Sequence, residues 1–117
     1  MKILIVDDSM TSRMLFKAYM PKDGRHELYE AAVLPDALEK MREVQPELVI
    51  LDYNMPEHNG VEMAQAMLGA GFKAKFVLLT ANTQRTVVDA ALAAGFIQVV
   101  EKPVNAAKIV ALLAQVA

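Results

Sequence analysis

The chain has 117 residues, 55% of them hydrophobic, with no cysteine and a formal net charge of −2. That length suits one folding unit over residues 1–117, and the interspersed charges leave no basic footprint for nucleic acid and no polybasic segment for an anionic membrane. Without cysteine there is no disulfide framework, thiolate metal site or cysteine nucleophile, and no segment has the length of a signal sequence or membrane span, so the expectation is a soluble cytoplasmic protein.

The first element is a β-branched apolar run, Lys2 to Val6, ending in Asp7-Asp8. Ser9-Met10-Thr11-Ser12 offers N-caps for a helix running to about Met20, stopped by Pro21 and the Lys22-Asp23-Gly24 turn. Glu27 to Ala32 reads as a weak second strand. Pro35 then opens an amphipathic helix that Gln45-Pro46 closes. Leu48-Val49-Ile50-Leu51 is apolar without alternation, as in a strand covered on both faces, and Asp52 stands at its C-terminal end. Pro56 and Gly60 mark the following loop, and Val61 to Leu68 has apolar residues at helical spacing. Gly69 and Gly71 punctuate before a fourth strand, Lys75 to Leu79, ended by Thr80. Thr83 is placed to cap an Ala-rich helix finishing at Gly95, Phe96 to Val100 reads as a fifth strand before Glu101-Lys102-Pro103, and Asn105 caps a last helix.

Five strands alternating with five helices through short loops predict an α/β fold: a parallel sheet with helices on both faces. Five units are too few for a closed eight-stranded barrel, so the expected architecture is a doubly wound, flavodoxin-like sheet of order 2-1-3-4-5. That order sets strands 1 and 3 side by side where the winding reverses, the place where ligands bind in open α/β sheets.

Asp7, Asp8, Asp52, Thr80 and Lys102 are far apart in sequence, yet each follows an apolar run and so belongs to one sheet edge. Three adjacent carboxylates repel one another unless a cation intervenes, and hard oxygen ligands suit Mg²⁺. Lys102 supplies a compact positive charge and Thr80 a hydroxyl, both suited to the oxygens of a phosphoryl group in transfer, which makes Asp52 the candidate nucleophile for an aspartyl phosphate. Taken singly, each residue has a plainer reading: Asp7-Asp8 as helix-capping acids, Thr80 as a strand end, Lys102 as a solvated charge. The plain reading is also the one given to Met14, Met41, Met63 and Met67 as core filler, to Met10 and Met55 as packing residues beside the site, to Arg13 as helix surface, and to the unpartnered His26 and His58.

Val6-Asp7-Asp8-Ser9, Leu51-Asp52 with Asn54-Met55-Pro56 and Gly60, Leu79-Thr80-Ala81 and Glu101-Lys102-Pro103 together resemble the receiver domains of two-component response regulators, including single-domain chemotaxis regulators, over the whole chain. The resemblance implies that Asp52 accepts a phosphoryl group from a histidine kinase. It further implies that Asp8 and Asp52 ligate Mg²⁺ through side chains, Asn54 through its backbone carbonyl and Asp7 mostly through water, with Thr80 and Lys102 on the phosphoryl oxygens and a cis Lys102-Pro103 bond. Many receivers carry an aromatic residue three positions before the lysine; here that residue is Val99, so coupling through a rotating ring is not available. Output is expected as binding of a downstream protein through the face of the fourth helix, fifth strand and fifth helix, by a monomer or weak dimer.

Other readings stay open on sequence. An aspartyl-nucleophile phosphatase commonly carries a second acid two residues on, where this chain has Asn54; a flavin or nucleotide binder would want a glycine-rich loop where this chain has Asp-Asp-Ser-Met-Thr. An unphosphorylated interaction domain and a receiver excised from a longer regulator complete the set.

Overall fold

A computed structural model describes residues 1–116. The elements are β1 (Lys2–Val6), α1 (Met10–Tyr19), β2 (Glu27–Ala31), α2 (Leu34–Val44), β3 (Leu48–Asp52), α3 (Gly60–Gly69), β4 (Lys75–Thr80), α4 (Arg85–Ala93), β5 (Gln98–Glu101) and α5 (Ala106–Val116). The strands form one parallel sheet of order β2-β1-β3-β4-β5, as the alternation of elements predicts. Every residue of β3 is buried, in keeping with its unbroken apolar run at the sheet's centre.

Because side chains alternate across a strand, the core divides into two layers. Leu4, Val6, Val49, Leu51, Phe76 and Leu78 face α2, α3 and α4, whereas Ile3, Ile5, Leu48, Ile50, Val77, Leu79 and Val100 face Phe16 of α1 and Ile109, Leu112 and Leu113 of α5. Each such aliphatic side chain contributes about 2 kcal/mol on full burial, so a register slip of one residue in β1 or β3 is strongly disfavoured. The same parity continues past the strand ends. Asp7, Asp52 and Lys102 fall on the α1/α5 side, in phase with Ile5, Ile50 and Val100, while Thr80 is in phase with Leu78 on the other side.

Three local expectations are corrected. Thr83 does not cap α4: Gln84 is the N-cap residue and makes no side-chain capping bond. The fifth strand is shorter than Phe96–Val100 because Phe96 completes the stop of α4: the Gly95 N–H donates to Leu92 O and the Phe96 N–H to Ala91 O, with Gly95 at φ 100°, which is a Schellman closure. The Ile97 N–H reaches Phe76 O of β4 at 2.9 Å, and the paired register then runs from Gln98 opposite Val77. Met14 is exposed on the outer side of α1, where Phe16 takes the inward position, although Met41, Met63 and Met67 are core residues as expected. Asn105 does cap α5, its Oδ1 accepting the Lys108 N–H at 2.8 Å.

Candidate functional site

The parallel ladders align the C-terminal ends of β1, β3, β4 and β5, and ladder-like bonds from the Asp7 N–H to Ala31 O, Tyr53 N–H to Leu79 O and Lys102 N–H to Thr80 O carry the register one residue beyond. Parity then decides which side chains meet. Lys102 Nζ lies 3.1 Å from Asp7 Oδ2 and 3.1 Å from Asp52 Oδ1, and its third neighbour is Ser12 Oγ at 3.4 Å. Asp7 and Asp52 are buried, Asp8 is exposed, and one carboxylate oxygen from each of the three lies within 4.8 Å of the others. The Lys102-Pro103 bond is cis, as the resemblance implied.

The charges do not balance within the chain. Three carboxylates face one ammonium, which leaves two negative charges in a partly dehydrated corner. Burial first, and then the charge of Asp7, push the Asp52 carboxyl up to about 6, against the opposing pull of Lys102 and the Asn54 backbone N–H. Burial alone would lower the Lys102 ammonium, but its bonds to Asp7 and Asp52 outweigh that and hold it above the usual lysine value. Hard oxygen donors carrying a surplus of two charges fit a divalent cation of the Mg²⁺ kind. Asp7, Asp8 and Asp52 can hold it, with the exposed Asn54 backbone beside them.

Close packing supports Asp52 from behind. A Cβ at Gly60 would stand 2.7 Å from the Asp52 carbonyl oxygen and 2.7 Å from Leu78 Cδ1, so only glycine lets the start of α3 approach β3 this closely. The Gly60 N–H donates to Tyr53 O at 3.0 Å, and Asn59 and Glu62 form a reciprocal capping box that fixes where α3 begins.

Thr80 sits apart from the charged trio. Its hydroxyl oxygen accepts the Asn82 N–H at 2.9 Å and donates to Asn82 O at 3.3 Å, so the side chain is engaged with its own loop. Arg13 also departs from expectation: its side chain is 15% exposed, Nε donates to Glu30 Oε1 at 3.1 Å and Nη1 to the Asp7 carbonyl oxygen. Sequence reasoning missed it because the link depends on Glu30 across the β1–β2 pairing. Met10 is exposed at the rim rather than packed. Met55 and His58 line a cavity of about 360 Å³ against Val33, Leu34 and Pro35, and none of the five candidate side chains borders it. Among the described residues no helix is long and apolar enough to cross a membrane.

Comparison with known proteins agrees with this architecture. Residues 3–114 match the family model of the response regulator receiver domain. The chemotaxis protein CheY of Thermotoga maritima is 32% identical, over 98% of this chain and 96% of its own. The protein-glutamate methylesterase/protein-glutamine glutaminase of a Nocardioides species is 35% identical over 89% of this chain but only 29% of its own length. Among solved structures, the Vibrio cholerae chemotaxis protein CheY4 superposes with a TM-score of 0.88 at 28% identity, covering 99% of this chain and 98% of that one. With the sheet order, the clustered carboxylates and Lys102 in place, the chain belongs to the response regulator receiver domain family.

Proposed function

We propose that this receiver accepts a phosphoryl group on Asp52 from the phosphohistidine of a histidine kinase and transmits the modification by binding a downstream protein. The observation that carries the reading is the bridge of Lys102 between Asp7 and Asp52, with Asp8 completing an acidic group that has a surplus of two negative charges. An Asp52 oxygen attacks phosphorus, the P–N bond breaks with its electron pair leaving on the imidazole nitrogen, and an acyl phosphate remains on Asp52. A carboxyl pushed up to about 6 is still ionised at neutral pH and so is available as the nucleophile. Lys102 neutralises charge on a phosphoryl oxygen, and Thr80 contacts another after its hydroxyl leaves Asn82. Asp7, Asp8 and Asp52, with the Asn54 carbonyl, would hold Mg²⁺, whose chemistry is to offset charge between the carboxylate and phosphoryl oxygens.

Output through α4, β5 and α5 is supported by Leu92, Ile97 and Val110, apolar side chains that stand exposed on those elements and the turn between them. Val99 is half-buried against the core beneath α4, so repacking of that face proceeds without an aromatic gate. The setting proposed is the cytoplasm, with phosphoryl transfer and hydrolysis on Asp52 as the only chemistry the domain performs.

The test is intact mass after incubation with acetyl phosphate and Mg²⁺, beside Asp52→Asn and a chelated control. The expected result is a single phosphoryl gain that requires both Asp52 and the metal. No adduct, together with no binding of beryllium fluoride, would replace this reading with that of an unphosphorylated interaction domain.

A further inference from the structure

Asp8 is the member of the acidic group that no side-chain bond holds. Asp7 Oδ1 accepts the Ser9 N–H at 2.9 Å, and Lys102 fixes Asp7 Oδ2 and Asp52 Oδ1. Asp8 is exposed, and among the described residues its carboxylate makes no hydrogen bond within the chain. Its place is therefore set by the backbone that carries it. The Asp7 carbonyl and the Asp8 amide lie in one rigid plane that also contains the Asp8 Cα, so whatever holds that carbonyl fixes the point from which the Asp8 side chain starts and the axis about which it turns. The carbonyl lies beyond the last paired residues of β1, Val6 with Ala31 and Val6 with Leu51, where a ladder no longer fixes it.

Arg13 takes over that task. Ser9 caps α1 by accepting the Ser12 N–H at 3.2 Å, and the first helical turn then closes from the Arg13 N–H to Ser9 O at 3.1 Å. This turn brings Arg13 against the β1–β2 edge, where its fork spans the Asp7 carbonyl and Glu30. A planar guanidinium fixed at two points constrains direction as well as distance. Pairing with Glu30, which Lys17 Nζ also approaches at 4.0 Å, offsets the positive charge that would otherwise repel a cation next door.

We propose that Arg13 is a positioning residue of the acidic site: bridged to Glu30, it holds the Asp7–Asp8 peptide plane so that the Asp8 carboxylate starts within reach of a divalent cation shared with Asp7 and Asp52. The inference rests on the metal reading above. Outer supports of metal ligands commonly change affinity by about tenfold or more when removed, far beyond the effect of an ordinary surface arginine.

Calorimetric titration of Mg²⁺ into the full chain, its Arg13→Gln and Arg13→Lys variants and the milder Glu30→Gln tests it, with melting temperature and amide exchange of the metal-free proteins measured alongside. The expected result is a Mg²⁺ dissociation constant raised about tenfold in both Arg13 variants and less in Glu30→Gln, with faster exchange at Asp8 and Ser9. At saturating Mg²⁺ the acetyl phosphate adduct should recover to the wild-type extent, which loss of fold would not allow. Unchanged Mg²⁺ affinity with a lowered melting temperature would reduce Arg13 to a brace between α1 and β2 and overturn the proposal. So would wild-type affinity in Arg13→Lys, since lysine keeps the charge but cannot span both partners. Failure of the wild-type chain itself to bind Mg²⁺ would overturn the metal reading instead.

Discussion

Two corners of the same sheet edge are built in opposite ways. At the corner formed by β1, β3 and β5, Lys102 reaches Asp7 across 95 residues of sequence, Asp7 is held by Ser9 and Arg13, and α3 packs tightly on Asp52 through Gly60. At the corner after β4, the bonds of Thr80 run to Asn82, only two residues away, Asn82 Oδ1 accepts the Gln84 N–H, and α4 begins without a side-chain cap. The first corner is framed by strands and a tightly packed helix, so its backbone cannot shift locally even though the Lys102 side chain can turn from one oxygen to another. A two-residue loop bond, by contrast, can be traded together with its backbone at a local cost of about 1 kcal/mol. On the proposed function this difference separates chemistry from signal: charges are preorganised on the rigid side, and the loop free to move with its side chain lies on the soft side, next to α4.

The severest way to break the rigid corner is Gly60→Ala. A Cβ at 2.7 Å from a backbone oxygen cannot be absorbed by rotamer change, so β3 and α3 must part. Destabilisation of about 2–3 kcal/mol in urea unfolding is expected, with slower phosphorylation by acetyl phosphate and faster amide exchange at Asp52 and Tyr53. Exchange at Asn82 to Gln84 should stay as it was. A spread of the effect into that loop would mean the two corners are mechanically one.

How much of this contrast could be read in sequence follows from what each part depends on. The strands and their order were legible because apolar runs ending in Asp8, Asp52, Thr80 and Lys102 carry both the period and the edge. The meeting of Asp7, Asp52 and Lys102 follows from parity once the order is known. Thr80 is one residue out of phase with that set, so its turn toward Asn82 needed coordinates. Arg13 looked like helix surface because Glu30 lies 17 residues away on a strand whose pairing sets the contact. Phe96 looked like strand because an apolar aromatic after glycine satisfies both a β pattern and the hydrophobic end of a Schellman closure.

The electrostatic strain of the rigid corner is the second target. The Asp52 carboxyl is raised to about 6 from 3.8, so the folded chain binds its proton more tightly than the unfolded chain does. For a raised acid this contribution to stability is full below the unfolded value, declines as pH rises through the window to about 6, and is gone above it. In metal-free buffer at pH 7, Asp52→Asn should be more stable than wild type by about 2 kcal/mol once solvent screening is counted, and the gap should narrow as pH falls through about 6 and close only below about 4. Lys102, raised in its turn, loses its share only at alkaline pH and does not enter this window. Mg²⁺ should stabilise wild type and leave Asp52→Asn nearly unmoved. A gap that stayed constant across the range would trace the effect to packing and not to the buried charge.

The smallest effect sharpens the soft corner. Gln84 has the extended backbone of an N-cap, φ −57° and ψ 145°, yet its side chain accepts no amide of the first turn of α4. Its own N–H bond to Asn82 Oδ1 is a backbone bond and survives substitution. Gln84→Ser places a short hydroxyl where it can accept the Thr86 or Val87 N–H, and should add about 0.5–1 kcal/mol to stability while slowing exchange through the first turn of α4. If softness there is what lets Thr80 change partners, the capped variant should still gain a phosphoryl group on Asp52 but show a smaller exchange response to beryllium fluoride across Asn82 to Val100. An undiminished response would place the movable joint upstream, in the Thr80–Asn82 turn alone, with α4 carried as a rigid body.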